Sequence, residues 1–135
     1  MLMFSIKPKW ARMILNWSKT YELRRRPPPS KAIGAIALIY CTTPETRLMC
    51  ACRVENILAK QKDVLWEEIG EHTGCNASEF SDYFQGLEYA SAVQLKTLDV
   101  EIANLTRREL ITRYGFTPPQ SWRWANELEE LVGET

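Results

Sequence analysis

Hydrophobic residues recur along the chain with two different spacings, and the change of spacing predicts where helices and strands lie. A spacing of three and four residues marks an amphipathic helix after Pro8, and a spacing of two marks strands with faces of unlike polarity. The predicted order is a strand at 3–6, a helix at 8–17, strands at 20–25, 35–40 and 48–58, a helix at 63–73, a short helix from 76, a strand or strand pair at 87–100, a helical turn from 106 and a C-terminal helix at 121–132. This mixture over 135 residues predicts one α+β domain, 1–135, with a small curved or barrel-like sheet.

Two helix starts carry a recognisable capping motif. Asn76 and Thr106 are each followed three residues later by a glutamate, Glu79 and Glu109. In this motif the side chain of the first residue accepts a hydrogen bond from the backbone N–H of the third helical residue. The glutamate side chain at that third position accepts one from the backbone N–H of the first residue. The motif therefore predicts a helix beginning after each of these residues.

The strand at 20–25 is unusually charged. Read with a period of two, Thr20, Glu22 and Arg24 project to one side, directly after Lys19. An acid and several bases on a rigid element suit the binding of an anionic or polar ligand. A solvated edge strand, charged against aggregation, would give the same pattern. A third interpretation is a structural pair between Glu22 and Arg24, with Lys19 favourably placed at a helix end.

Composition restricts the classes of function. Lysine and arginine number 17, and aspartate and glutamate number 17, so the chain lacks the basic excess typical of nucleic-acid-binding proteins. Any such binding must depend on local clustering. Basic residues do cluster in the first fifth of the chain: Lys7, Lys9, Arg12, Lys19 and Arg24 to Arg26.

The four cysteines and the single histidine do not form a metal-site pattern. Cys50 and Cys52 share a face of a predicted strand, which indicates buried thiols in a reducing compartment. His72 lies on a polar helix near Cys75, which is too sparse a set for a metal. We therefore predict no metal and no cofactor. The first residues are too short for a signal peptide and no apolar run reaches membrane-spanning length, so we expect a cytoplasmic protein with no membrane contact.

Several segments resemble one known family in their order and spacing. The run 6–9, a short helix ending at 14–15, and Lys19-Thr20 followed by Glu22 and Arg24 resemble the opening of the ASCH family, a branch of the PUA-like β-barrel domains. Further similar segments are 37–40 with 42–44, the acidic helix near Trp66, 80–86 and 118–123. The resemblance covers nearly the whole chain. It implies a PUA-like small mixed β-barrel with peripheral helices.

One residue departs from the family pattern at the end of the first helix. Trp17 stands where the family usually has a glycine that closes the helix in a left-handed conformation. A tryptophan adopts that conformation only at a cost in energy. We therefore expect either a rebuilt turn or a ring recruited to line the site.

The resemblance implies a domain that binds RNA, another single-stranded nucleic acid or a modified nucleotide, with a regulatory role in RNA metabolism or transcription. Polar side chains would recognise a base edge, aromatic rings would stack on it, and basic neighbours would hold phosphate. The segment 120–123 follows two prolines and opens the predicted C-terminal helix, so its amides are available to an anion. The candidate ligand-binding residues are Lys7, Trp17, Lys19, Thr20, Glu22, Arg24, Tyr40, Gln120, Ser121, Trp122 and Arg123. We expect a monomeric or weakly associating protein.

Two alternatives remain open, and the sequence does not decide whether the protein is an enzyme. Some small ASCH proteins resemble amidohydrolases of an acylated cytidine; Lys19 and Thr20 match that motif, but Glu22 stands at the hydroxyl position. Other members resemble metal-dependent ribonucleases, for which Lys19 and Glu22 would be the catalytic acid–base pair. The second alternative is a structural or interaction domain with no ligand. The site hypothesis requires that the strand at 20–25 and the segment 120–123 share one cleft.

Overall fold

A computed structural model of the chain describes residues 1–132 and contains one six-stranded sheet. Its strands, in chain order, are β1 (Leu2–Ile6), β2 (Tyr21–Leu23), β3 (Ile36–Cys41), β4 (Arg47–Gln61), β5 (Tyr89–Thr97) and β6 (Trp122–Trp124). Its helices are α1 (Pro8–Leu15), α2 (Lys62–Ile69), α3 (Ala77–Tyr83) and α4 (Arg107–Tyr114), with 3-10 turns at Ser30–Ala32, Gly70–His72 and Asn126–Leu131. The predicted α+β class is therefore confirmed.

The strands lie in the order β2-β5-β4-β3-β1-β6. Strand β1 runs parallel to β3, and the other neighbours pair antiparallel. Within residues 1–132, no backbone ladder joins the two edge strands, β2 and β6, so the barrel is a loose one rather than a closed one. None of the helices in this described part has the length and hydrophobicity to cross a bilayer.

Both faces of the sheet are covered, because side chains alternate along each strand. On one face α1 packs against β1, β3 and β4 through residues such as Ile14 and Phe4. On the other face α4 and the C-terminal turn pack through Leu110 and Leu128. A third cluster joins α2 and α3 to β2 and β5. The sheet thus fixes α1 and α3 beside the same end of β2.

The end of α1 shows how the chain accommodates Trp17. Its backbone φ is 70°, the left-handed region, and the amide hydrogens of Ser18 and Lys19 are donated to the carbonyl of Met13. The turn is therefore not rebuilt, which excludes the first of the two alternatives for Trp17. A bulky side chain in this conformation costs about 1–2 kcal/mol relative to ordinary helical backbone. The ring is 55% exposed.

The capping motifs behave as predicted. In α3, the Asn76 side chain accepts from the Glu79 amide and the Glu79 carboxylate accepts from the Asn76 amide, at 2.8 and 2.9 Å. The same reciprocal pair joins Thr106 and Glu109 at the start of α4. Gly115 ends α4 with φ 61°, a conformation that suits glycine because it has no Cβ.

The predicted helix at 121–132 is wrong in its first half. Residues Trp122–Trp124 form β6 instead, antiparallel to β1, with Phe4 opposite Trp122 and Leu2 opposite Trp124. The reason is tertiary: β1 offers an open edge, and aromatic residues favour a strand once a partner exists. The segment 120–123 therefore opens a strand rather than a helix, and the predicted helix N-terminus for an anion does not exist there.

Candidate ligand-binding site

A cavity of about 400 Å³ lies at the end of β2, between α1 and α3. It is lined from both ends of the chain, by Lys7 and Trp10 of the α1 region, by Glu22 and Arg24, and by Gln120 from the loop before β6. The strand at 20–25 and the start of the segment 120–123 thus meet at one cavity, as the site hypothesis requires. Whether these residues bind a ligand stays a prediction at this point.

Glu22 lies between two cations in the cavity wall. Its carboxylate oxygens lie 3.5 Å from Lys19 Nζ and 2.9 Å from Arg24 Nη2. The three side chains are almost completely buried, with Lys19 2%, Glu22 8% and Arg24 7% exposed. Charged groups tolerate such burial only when they are paired and hydrogen-bonded. The pair that the structural interpretation predicted is present, and it forms part of a cavity rather than a solvated surface.

Lys19 is fully engaged within the protein. Its ammonium donates to the carbonyl of Tyr21 at 2.8 Å and to the carbonyl of Thr73, in addition to its contact with Glu22. An ammonium has three hydrogens, so these partners use its donor capacity. The position of Lys19 follows from the turn after α1, where its own amide bonds to Met13. The role that this geometry supports is positioning of Glu22, rather than the free ligand contact that the sequence suggested.

Arg24 connects the two edges of the sheet. From the end of β2 its guanidinium donates to the carbonyl of Ser5 in β1 at 3.1 Å and to Ser121 Oγ beside β6 at 3.0 Å. The guanidinium also lies 5.0 Å from the centre of the Phe4 ring. Side-chain hydrogen bonds thus span the gap between β2 and β6, which no backbone ladder closes in the described residues 1–132. Ser121, predicted as a ligand contact, takes part by supporting Arg24.

Three further side chains of the cavity wall were missed as site residues by the sequence analysis. Trp10, on the apolar face of α1, is partly buried against the core and also lines the cavity. Tyr83 lines the α3 side, and burial raises the pKa of its phenol, with Arg24 opposing, so the phenol is neutral at pH 7. Cys75 lines the floor. Burial raises the pKa of its thiol above 9.0, with Lys19 opposing, so it is a neutral thiol.

The α1 helical spacing and the resembling segment 80–86 carried weak signals for Trp10 and Tyr83. No sequence signal pointed to Cys75, because its place in the wall depends on how the turn after α2 folds. Within residues 1–132, no group of three or more histidine, cysteine, aspartate or glutamate side chains is arranged to hold a metal ion.

The structure places several predicted site residues away from the cavity. Trp17 lies at the opposite end of α1, beside a second hollow. Tyr40 packs on the other face of the sheet, where its hydroxyl has no hydrogen-bond partner within residues 1–132. Trp122 packs against Trp124 and the core and donates its indole N–H to the carbonyl of Arg26. These three aromatic rings therefore do not stack on a ligand in this cavity.

Two polar residues are also displaced from the cavity. Arg123 points to the face opposite Trp122, because neighbours in β6 alternate, and its guanidinium lies 4.2 Å from the centre of the Phe116 ring. Thr20 precedes β2 and uses its backbone to bond His72 and Leu95. Of the predicted residues, those that line the cavity are Lys7, Lys19, Glu22, Arg24 and Gln120.

This chain is similar in sequence and in fold to proteins that are already known. No protein-family model matches the chain. Among curated proteins, the chain is similar to an ASCH domain-containing ribonuclease of Zymomonas mobilis, with 33% identity over 134 residues that cover 97% of this chain and 89% of that protein. Among solved structures, it is similar to the crystal structure of ASCH from Zymomonas mobilis, with a TM-score of 0.84, 31% identity, and coverage of 97% of this chain and 92% of the other. A crystal structure of a mutant form from the same organism gives a TM-score of 0.85 and 29% identity, over 97% of this chain and 93% of that one.

Proposed function

This chain belongs to the ASCH domain family, and from that premise we propose that it binds RNA in the cavity between α1, β2 and α3. The observation that carries the proposal is the buried cluster of Lys19, Glu22 and Arg24 in a cavity with aromatic walls. A volume of about 400 Å³ falls in the range of small-ligand pockets. It suits one nucleotide unit of a single strand rather than a duplex.

The charges of the wall favour an anionic ligand. Lys7, Lys19 and Arg24 contribute three cations against the two carboxylates of Glu22 and Glu79, which leaves one net positive charge. Lys7 is exposed at the start of α1, so its ammonium can contact a phosphate at the mouth of the cavity. Local clustering of this kind compensates for the zero net charge of the whole chain.

The walls also offer groups that fit a nucleobase. The rings of Trp10 and Tyr83 can stack on a base, which contributes about 1–3 kcal/mol for each good contact. The carboxylate of Glu22 accepts hydrogen bonds, and the amide of Gln120 both donates and accepts. A base edge carries donors and acceptors side by side, so this set matches it better than it matches a simple anion.

RNA cleavage is a second candidate function, and the ribonuclease name of the similar Zymomonas mobilis protein supports it. In this cavity Glu22 is the group suited to remove a proton from an attacking hydroxyl, and Arg24 and Lys7 are suited to stabilise charge on a phosphate. Lys19 would hold Glu22 in place. The amidohydrolase alternative gains no support, because Glu22 occupies the position at which that mechanism uses a hydroxyl.

The test is a titration of tryptophan fluorescence with short RNA, single-stranded DNA and nucleosides. We expect RNA to change the signal, because Trp10 lines the cavity, and we expect binding to weaken as salt rises. Lys7→Ala should weaken binding, whereas Lys96→Ala, a change at an exposed lysine of β5, should not. If both variants bind RNA with the same affinity as the parent, RNA does not bind in this cavity.

Cleavage is tested separately with end-labelled RNA resolved on a gel. If cleavage occurs in this cavity, Glu22→Gln should abolish it while RNA still changes the tryptophan signal. Cleavage at the parental rate by a folded Glu22→Gln protein would exclude Glu22 as the base. A cytoplasmic location and a regulatory role in RNA metabolism stay predictions.

A further inference from the structure

A tryptophan at position 17 destabilises the fold relative to a glycine. Its left-handed backbone favours glycine, and more than half of its side chain faces solvent. Leu15, two residues earlier, and Val100, in the loop after β5, are also large exposed apolar side chains. A glycine would close α1 without backbone strain, so helix closure alone does not account for this ring.

The ring lies beside a hollow of about 680 Å³ at the opposite end of α1 from the RNA cavity, and the two share no lining residue. Its apolar part is lined by residues such as Leu15, Met49, Val100 and Ile102. Its polar part includes Arg47, Asp99 and Glu101, and none of these three forms a salt bridge within residues 1–132. An exposed apolar patch with a polar rim is typical of a protein interaction surface.

We propose that this surface binds a second copy of the chain across a twofold axis, with Trp17 of each copy seated in the hollow of the other. A twofold interface uses the same patch twice, so the patch must complement itself. This one does so in shape, because an exposed ring stands beside an open hollow. It also does so in charge, because Arg47 of one copy can face Asp99 and Glu101 of the other.

The charges of the hollow also favour a second copy of the chain over RNA, which we propose for the cavity at the end of β2. Asp99 and Glu101 give the hollow one more carboxylate than Arg47 offsets, so it repels phosphate. A tryptophan buried at the centre of an interface is a frequent source of binding energy, and unpaired charges at its rim select the partner. The patch is small, so the dimer is weak and depends on concentration.

The first test is analytical ultracentrifugation of the full chain over a range of concentrations. We expect a reversible monomer–dimer equilibrium. Trp17→Gly keeps the turn, because glycine accepts its φ, and should raise the dissociation constant about thirtyfold or more. Tyr89→Ala removes an aromatic side chain of matched exposure, 54%, outside the patch and should leave the equilibrium unchanged.

The second test exchanges charges and does not depend on Trp17. Arg47→Glu alone should prevent dimer formation, and so should Asp99→Lys combined with Glu101→Lys. Mixed in equal amounts, these two variants should form a heterodimer, because each substituted charge then faces its opposite. A parent that stays monomeric at its highest soluble concentration overturns the proposal. Dimers of Trp17→Gly as tight as those of the parent, or a mixture that does not associate, also overturn it.

Discussion

Glu22→Gln removes the carboxylate that Lys19 and Arg24 both contact, at 3.5 and 2.9 Å, and leaves the shape of the side chain nearly unchanged. Removing one partner of a buried ion pair costs about 3–5 kcal/mol, because the remaining charge is left without compensation. Glutamine keeps one carbonyl acceptor for a cation, so we expect the lower end, about 3 kcal/mol. For a chain of this size a loss of 1 kcal/mol lowers the melting temperature by about 4 °C, so the expected decrease is about 12 °C.

The assay is thermal unfolding followed by circular dichroism at neutral pH, on the parent and on matched variants. Glu55→Gln makes the same chemical change at an exposed position of β4 and should alter stability by less than about 0.5 kcal/mol. A double variant, Glu22→Gln with Arg24→Gln, should lose less than the sum of the two single variants, because the two groups interact. If Glu22→Gln has the same melting temperature as Glu55→Gln and the parent, the buried ion pair does not organise this cavity.

Three further results follow from the structure. Trp17→Gly should be more stable than Trp17→Ala by about 1 kcal/mol in thermal unfolding, because both lose the ring but only alanine keeps the left-handed strain; equal stability would contradict the assigned φ. Cys75 should react slowly with iodoacetamide at pH 7 and faster as pH rises, since its pKa is raised above 9.0, and bound RNA should protect it; mass spectrometry reads this directly, because the other cysteines are buried. The backbone hydrogen bond from Asn76 lowers the pKa of Glu79, so its contribution to α3 is complete above the unfolded value of 4.5 and is lost as pH falls through the lower folded value. Melting of Glu79→Gln should therefore show a smaller loss of stability on acidification than melting of the parent.

Local patterns in the sequence predicted those features that depend on near neighbours. The alternation along 20–25 placed Glu22 and Arg24 on one side, and the structure has both in the cavity wall. The capping motifs at Asn76 and Thr106 predicted two helix starts, since each motif is satisfied within three residues.

Features that depend on distant partners were not predictable in this way. The strand β6 forms because the edge of β1, from the other end of the chain, is open to it. The ammonium of Lys19 donates to the carbonyl of Thr73, a partner that no spacing in the sequence brings near. Tyr40 lies on the opposite face because its place in β3 follows from the register with β1 and β4.

The guanidinium of Arg24 connects the two edge strands of the sheet, since Arg24 directly follows β2 and donates hydrogen bonds to Ser5 in β1 and to Ser121 beside β6. A ligand that accepts a hydrogen bond from Arg24 in place of one of these serines should loosen this connection, and a ligand that accepts from the Nε–H, which is unpartnered within residues 1–132, should tighten it. We therefore expect occupancy of the cavity to change how readily the sheet opens between β2 and β6, and amide hydrogen exchange in these two strands to report whether the cavity is filled.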